Sequence, residues 1–204
     1  MPDATKPQHD DQGYYLFVRD IYASRADVSN KEAEHLVFVG IGSNIDPEEN
    51  IACALVRLSR QAAIEVVSTF YRTASVGRPE QPPFLNGAAR LRTTLDAGTL
   101  KSEVLRGIES ALGRVRTADA CASRTIDLDI LLFDSAIIEE PGLRVPDPGI
   151  RERPFVAVPL LELAPDLVLP DTGEKLAGLS CARRREGLIP ADAFTESLRE
   201  RLGL

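Results

Sequence analysis

Asp127 and Asp129 interrupt the first half of an otherwise apolar run, Arg124-Thr125-Ile126-Asp127-Leu128-Asp129-Ile130-Leu131-Leu132-Phe133. In an extended chain side chains alternate, so both aspartates project from one face and Leu128, Ile130 and Leu132 from the other. A carboxylate is costly to bury unless it is paired or holds a metal. The pair therefore suits a divalent cation; the other reading is a solvated sheet face or an edge strand guarded by charge. Arg114, Arg116, Arg124 and Arg153 lie near the aspartates in sequence or just beyond them. Guanidinium forks match phosphate oxygens, and several converging on one cleft suit a polyphosphate. Magnesium takes one or two carboxylates together with phosphate oxygens and water. The combination reads as a magnesium–nucleotide site, although any single arginine could instead pair with a surface acid.

Other phosphate-binding and catalytic devices are missing from the sequence. It has no G-x-x-x-x-G-K-[ST], and Gly40-Ile41-Gly42 is only a fragment of a dinucleotide fingerprint. Both histidines, His9 and His35, precede the expected core, which leaves a His-based triad or a His-ligated zinc unsupported. Cys53, Cys121 and Cys181 match no zinc or disulfide spacing and suggest a reduced, cytoplasmic setting. With 24 basic residues against 31 acidic ones the net charge is -7, which argues against a general nucleic-acid binder. No apolar run is long enough to span a membrane, and the N-terminus lacks the layout of a signal peptide.

The elements that must position these residues follow from pattern. Residues 36–42 form a short apolar strand that ends in glycine, and Gly42-Ser43-Asn44 is a turn. Asp46, Pro47 and Glu49 resemble a capping box that opens a helix with Ile51, Leu55 and Leu58 on one stripe. Residues 64–71 form a second strand, and 72–83 a loop stiffened by Gly77, Pro79, Pro82 and Pro83. Residues 84–92 form a third strand. Leu100, Val104, Ile108 and Leu112 mark a second helix closed by Gly113. The aspartate strand comes next, then a hairpin turning at Pro141-Gly142, a helix over 155–164 and a short amphipathic helix over 191–202. The order βαββαβ predicts an α+β, ferredoxin-like antiparallel sheet with helices on one face, plus a small hairpin and terminal extensions. The predicted divisions are an extension over 1–34, partly disordered, with an aromatic cluster from Tyr14 to Tyr22; a domain over 35–180; and a basic tail over 181–204.

Several separated motifs occur in one order: Gly42-Ser43-Asn44; Phe70-Tyr71-Arg72-Thr73 with Gly77; Gln81-Pro82 with Phe84-Leu85-Asn86; Glu109 with Gly113-Arg114-Val115-Arg116; Arg124 to Asp129; and Val145-Pro146 with Arg153 and Phe155. In these the chain resembles the hydroxymethyl-dihydropterin pyrophosphokinases of folate biosynthesis over about residues 36–180. The resemblance implies transfer of the β,γ-pyrophosphoryl group of ATP to the hydroxymethyl oxygen of a dihydropterin, with AMP leaving. It implies two Mg²⁺ ions on Asp127 and Asp129, and catalytic roles for these with Arg114 and Arg124. ATP would meet Glu109, Arg114, Arg116, Arg124 and Arg153. The pterin would stack between Phe84 and Phe155, with Asn86 and the backbone of Thr73, Ala74 and Val76 reading its edge. From residue type alone, Phe84 and Phe155 read as core packing, whereas Asn86 is unusual on a strand. The partners implied are ATP and pterin, with no nucleic acid or membrane, for a monomer or weak homodimer.

The chain departs from the family's pattern at three places. Asp147 stands where a histidine usually follows Val-Pro, and Pro148 where an aromatic residue is common. Cys121 and Ala122-Ser123 replace a tryptophan and a Gly-Pro step. A carboxylate at 147 repels phosphate unless it turns away or meets a metal. These changes raise the alternative of a divergent pterin- or nucleotide-binding paralogue with weak or altered activity. A ferredoxin-like RNA-binding module ranks last, because the basic surface and aromatic strands such modules use are absent.

Overall fold

The computed structural model describes residues 33–204 except 76, 79, 116–118, 120 and 121. The Tyr14 to Tyr22 cluster, Val76, Arg116 and Cys121 lie outside the described residues. Residues Ala33–Leu204 form one compact unit.

Strand β1 (His35–Ser43) is an inner strand of the sheet, and its apolar residues are buried on both faces. Val37, Val39 and Ile41 point one way, toward helix α1 (Pro47–Leu58), whose stripe Ile51, Leu55 and Leu58 is fully buried. Leu36 and Phe38 point the other way. The strand after α1 breaks in two, β2 (Ala63–Val67) and β3 (Tyr71–Thr73), where sequence pattern predicted one strand. The break is stable because its backbone groups find other partners. Ser68 N donates to Ala88 O at 2.9 Å, Thr69 N to Glu162 Oε2 at 2.8 Å and Phe70 N to Thr195 Oγ1 at 3.0 Å.

Strand β4 (Phe84–Thr93) pairs with β1, β2 and β3. Helix α2 (Ala97–Thr99) runs into a π-helical stretch, Leu100–Leu105, and resumes as α3 (Arg106–Ala111). Strand β5 (Asp127–Phe133) lies on the far side of β1. All pairings are antiparallel, and the strands run in the order β5-β1-β4-β3-β8, with β2 also on β4; β8 is Ile189–Pro190. Strands β6 (Ile138–Glu140) and β7 (Leu143–Val145) form the expected hairpin, with Gly142 at φ 82°.

Two further sequence expectations need correction. Helices cover both faces of the sheet, not one. Helix α5 (Pro154–Leu163) packs Ala157, Leu160 and Leu163 against Leu36, Phe38, Ala88 and Leu132 on the side away from α1. This is why β1 and β4 are buried on both faces, a pattern that simple alternation misses. The Asp46 capping box also fails: Asp46 sits at φ 42° and its side chain makes no cap bond. Pro47 still opens the helix, since its missing N–H costs nothing there.

Residues beyond 180 join the same unit. Helix α6 (Ser180–Arg183) buries Cys181 and Ala182, and β8 extends the sheet beside β3. Helix α7 (Asp192–Leu202) closes the break after β2 through Thr195, an edge-on Phe70–Phe194 contact and a 3.0 Å bond from Arg199 Nη2 to Val67 O. The fold is a mixed α/β structure with an antiparallel sheet and helices.

Candidate active site

A cavity of about 450 Å³ opens over the ends of β1, β4 and β5. Asp127 and Asp129 line it from β5, with Gly42 and Gly40 of β1 directly opposite them in the ladder. These glycines keep the floor bare. A Cβ on Gly42 would sit 2.8 Å from Asn86 Oδ1, and one on Gly40 would sit 3.0 Å from Leu131 Cδ2. Leu131 reaches that position because the β1–β5 register shifts between Phe38 and Val39, leaving Leu131 as the extra residue.

The charged end is built around Asp127, which accepts from the guanidiniums of both Arg114 and Arg124. Burial works to raise its pKa, but the two arginines outweigh burial and hold the carboxyl below its ordinary value. Arg114 also donates to Glu109, to Ile126 O at 3.2 Å and, through its backbone N–H, to Glu109 O at 3.0 Å. Glu109 is 2% exposed and accepts from Leu128 N at 2.9 Å. It lies behind Asp127, off the cavity wall, and joins α3 to β5. Arg114 is thus engaged inside the protein, whereas Arg124 and Arg153 line the cavity itself.

The other end is aromatic and polar. Phe84, Phe155, Thr73, Ala74 and Asn86 all line it. Asn86 is buried and donates to Thr73 Oγ1 at 2.8 Å, which holds its amide edge above Gly42. The Arg124 guanidinium lies 5.8 Å from the centroid of Phe84, at the boundary of the two ends.

Three contributors escaped the sequence reading. Asn44, 3% exposed, ties the loops together: Oδ1 accepts from Arg124 N at 2.8 Å, while Nδ2 donates to Ser123 Oγ at 3.1 Å and Pro82 O at 3.3 Å. Sequence showed only a turn there. Arg184, read as part of a basic tail, lines the same cavity as Glu152 and Arg153. Lys101 is buried in the π-helical stretch and donates to Asp129 Oδ1 at 2.6 Å. A lone lysine in a helical pattern gives no such signal.

Asp147 also lines the cavity, and its Oδ1 accepts from Gly149 N at 2.7 Å at the start of helix α4 (Gly149–Glu152). Burial, together with the nearby Asp129 charge, raises its pKa above the ordinary 3.8, against the opposing Gly149 bond, Arg153 and Lys101. Ionisation of Asp147 therefore opposes folding. Below 3.8 the carboxyl is neutral in both folded and unfolded chains; as pH rises through that value the unfolded chain ionises first and stability falls until the raised folded pKa is passed. Asp147→Asn is neutral throughout and keeps an acceptor for Gly149. Its melting temperature is expected to exceed that of the parent at about pH 8 by more than it does at about pH 3. An equal difference at both pH values would contradict this account of Asp147.

Among the described residues no three His, Cys, Asp or Glu side chains gather around one point as a metal cage would. A cation in this cavity must draw on few carboxylates and on oxygens that a ligand brings, which is the habit of magnesium. The Asp129 side chain is 49% exposed, and Lys101 engages Oδ1. The hard oxygen donors, their common strand face and the arginines beside them fit Mg²⁺ carried with a polyphosphate.

The family model for 7,8-dihydro-6-hydroxymethylpterin-pyrophosphokinase matches residues 38–165. A 2-amino-4-hydroxy-6-hydroxymethyldihydropteridine pyrophosphokinase of Pseudomonas aeruginosa is 41% identical over 155 residues, 74% of this chain and 94% of its own length. One of the same name from Synechocystis is 38% identical over 148 residues, 71% of this chain and 74% of its own. The folic acid synthesis protein fol1 of Schizosaccharomyces pombe is 38% identical over 144 residues, 69% of this chain and 19% of that longer protein. Among the described residues no helix is long and apolar enough to cross a membrane. The chain is an enzyme of the transferase class and belongs to the 7,8-dihydro-6-hydroxymethylpterin-pyrophosphokinase family.

Proposed function

We propose that the protein transfers pyrophosphate from ATP to 6-hydroxymethyl-7,8-dihydropterin in a Mg²⁺-dependent reaction of folate biosynthesis, releasing AMP. One observation carries this reading. A single cavity has an aromatic, amide-bearing end suited to a flat heterocycle and a charged end suited to a polyphosphate. Asp127 and Asp129 would hold the metal, with two ions expected. When bound, it would neutralise charge on the phosphates and ease ionisation of the acceptor hydroxyl.

The chain's own residues would do the positioning. Phe84 and Phe155 offer apolar faces for the ring, while Asn86, fixed by Thr73, presents an amide to its edge. The backbone of Thr73 and Ala74 is at hand for the same edge, and Val76 keeps the role that resemblance implies. Arg124, between Asp127 and Phe84, stands where the acceptor oxygen and the transferred group would meet. Arg153 adds positive charge on the cavity wall, and Arg116 retains its implied phosphate contact. Arg114 and Glu109 act on the nucleotide through Asp127 and β5. No strong protein base is needed, because alignment and fixed charge supply most of the effect.

The strand order β5-β1-β4-β2 supports the ferredoxin-like reading of the sheet. We also keep the extension over 1–34 and the catalytic domain over 35–180, with the segment over 181–204 folded into the same compact unit as that domain. The enzyme would work in the cytoplasm on small molecules, without nucleic acid or membrane, as a monomer or weak homodimer.

The purified protein is expected to form AMP from ATP only when pterin and Mg²⁺ are both present. Absence of AMP from folded protein would sink the proposal. Asp147 favours a second reading, a paralogue that binds pterin or nucleotide with weak or altered turnover, because its carboxylate faces the phosphate end. Calorimetric pterin binding without AMP release would select that reading.

A further inference from the structure

We propose that Lys101 is a positioning residue that balances the charge of Asp129 and thereby restrains divalent-cation binding until a nucleotide arrives. This inference rests on the metal reading above.

Three observations converge on Lys101. First, it is 7% exposed, and a buried ammonium is costly unless every donor is well used. Its Nζ donates to Asp129 Oδ1 at 2.6 Å and to Leu128 O at 2.7 Å, both on the aspartate strand. Second, the backbone is bent to deliver it. A regular helix through Leu100 would continue its buried stripe at 104 and 108. In the π-helical stretch Leu100, Lys101 and Leu105 are buried and Val104 is only partly so. The N–H of Arg106 closes onto Lys101 O, five residues back. Such stretches commonly mark functional positions.

Third, the two aspartates are neutralised separately. Arg114 and Arg124 engage Asp127, while Lys101 engages Asp129. Arg124 lines the cavity, where incoming phosphates can draw it away from Asp127. Lys101 is on the protein side of Asp129, fixed by the Leu128 carbonyl, and phosphates cannot reach it in the same way. Its charge therefore persists as a penalty on any cation that approaches Asp129. Phosphate oxygens lower that penalty by adding negative charge on the cation's open side. Free metal is disfavoured and metal with nucleotide is admitted.

The test uses Mn²⁺ as the probe, followed by electron paramagnetic resonance on the full chain without nucleotide. Lys101→Met and Lys101→Gln remove the charge, and the glutamine keeps a donor for Leu128 O. Both are expected to bind Mn²⁺ on the order of tenfold tighter than the parent, from the loss of one nearby like charge. Lys101→Arg should resemble the parent, and adding Asp129→Asn to Lys101→Gln should erase the gain. Unchanged or weaker Mn²⁺ binding by Lys101→Met and Lys101→Gln, both confirmed folded by thermal melting, overturns the proposal. If Asp127→Asn and Asp129→Asn also leave Mn²⁺–ATP binding at the parental level, the metal reading itself falls. If those two variants lose binding while the lysine variants match the parent, only the role of Lys101 falls.

Discussion

Asp127→Asn is expected to lower turnover on the order of a thousandfold while pterin affinity changes little. The carboxylate lies at the charged end of the cavity, away from the amide of Asn86 and its partner Thr73, so removing its charge should not disturb ring recognition. Removing one fixed electrostatic contact to a developing charge typically costs about a hundred- to a thousandfold in rate. Here the same change would also weaken a metal ligand and release two guanidiniums from their shared acceptor. Asparagine keeps the shape and one acceptor oxygen, so the variant should fold. Steady-state kinetics paired with pterin calorimetry reads both quantities. Equal losses in turnover and pterin binding would show that Asp127 supports the pocket wall instead of the chemistry.

The second large effect concerns stability. Arg114→Met is expected to destabilise the protein by about 3 kcal/mol, because breaking a buried ion pair leaves its partner charge without that compensation. The Arg114 side chain is 12% exposed and that of Glu109 only 2%, so solvent does little to replace the interaction. The triad of Glu109, Arg114 and Asp127 is also the joint between α3 and β5. A double variant that adds Glu109→Gln should recover part of the loss, since glutamine still accepts from Leu128 N without a charge. Urea unfolding of the two variants and the parent provides the measurement. If Arg114→Met were as stable as the parent, the triad would not be a structural joint.

Much of this site was legible in the chain because its signals were local. The alternation that places Asp127 and Asp129 on one face requires only an extended backbone, and the structure shows both lining one cavity. Phe84, Asn86, Arg124, Arg153 and Phe155 reach the same cavity, although Phe84 and Phe155 by type alone looked like core. What could not be read depended on distant partners. The break at residues 68–70 needs Thr195 and Glu162, more than ninety residues away, to satisfy its backbone. Helix α5 is apolar around most of its surface, so nothing in its own pattern says which sheet face it covers. The inward turn of Lys101 depends on a π-helical stretch, which shifts the regular helical period. Arg184 gave only a tail of like charges until the fold brought it to the cavity that Arg153 also lines. Gly40 and Gly42 looked like a weak nucleotide fingerprint; their ladder positions show that they clear the cavity floor instead.

A crystal structure with Mg²⁺, a non-hydrolysable ATP analogue and the pterin would show metal, phosphates and ring in one cavity. Metal density is expected at about 2.1 Å from carboxylate oxygens of Asp127 and Asp129. The pterin is expected between Phe84 and Phe155 with Asn86 on its edge, and the triphosphate between Arg124 and Arg153. Pterin bound outside this cavity, or a metal that avoids both aspartates while Arg114 and Arg124 stay on Asp127, would contradict the proposed function.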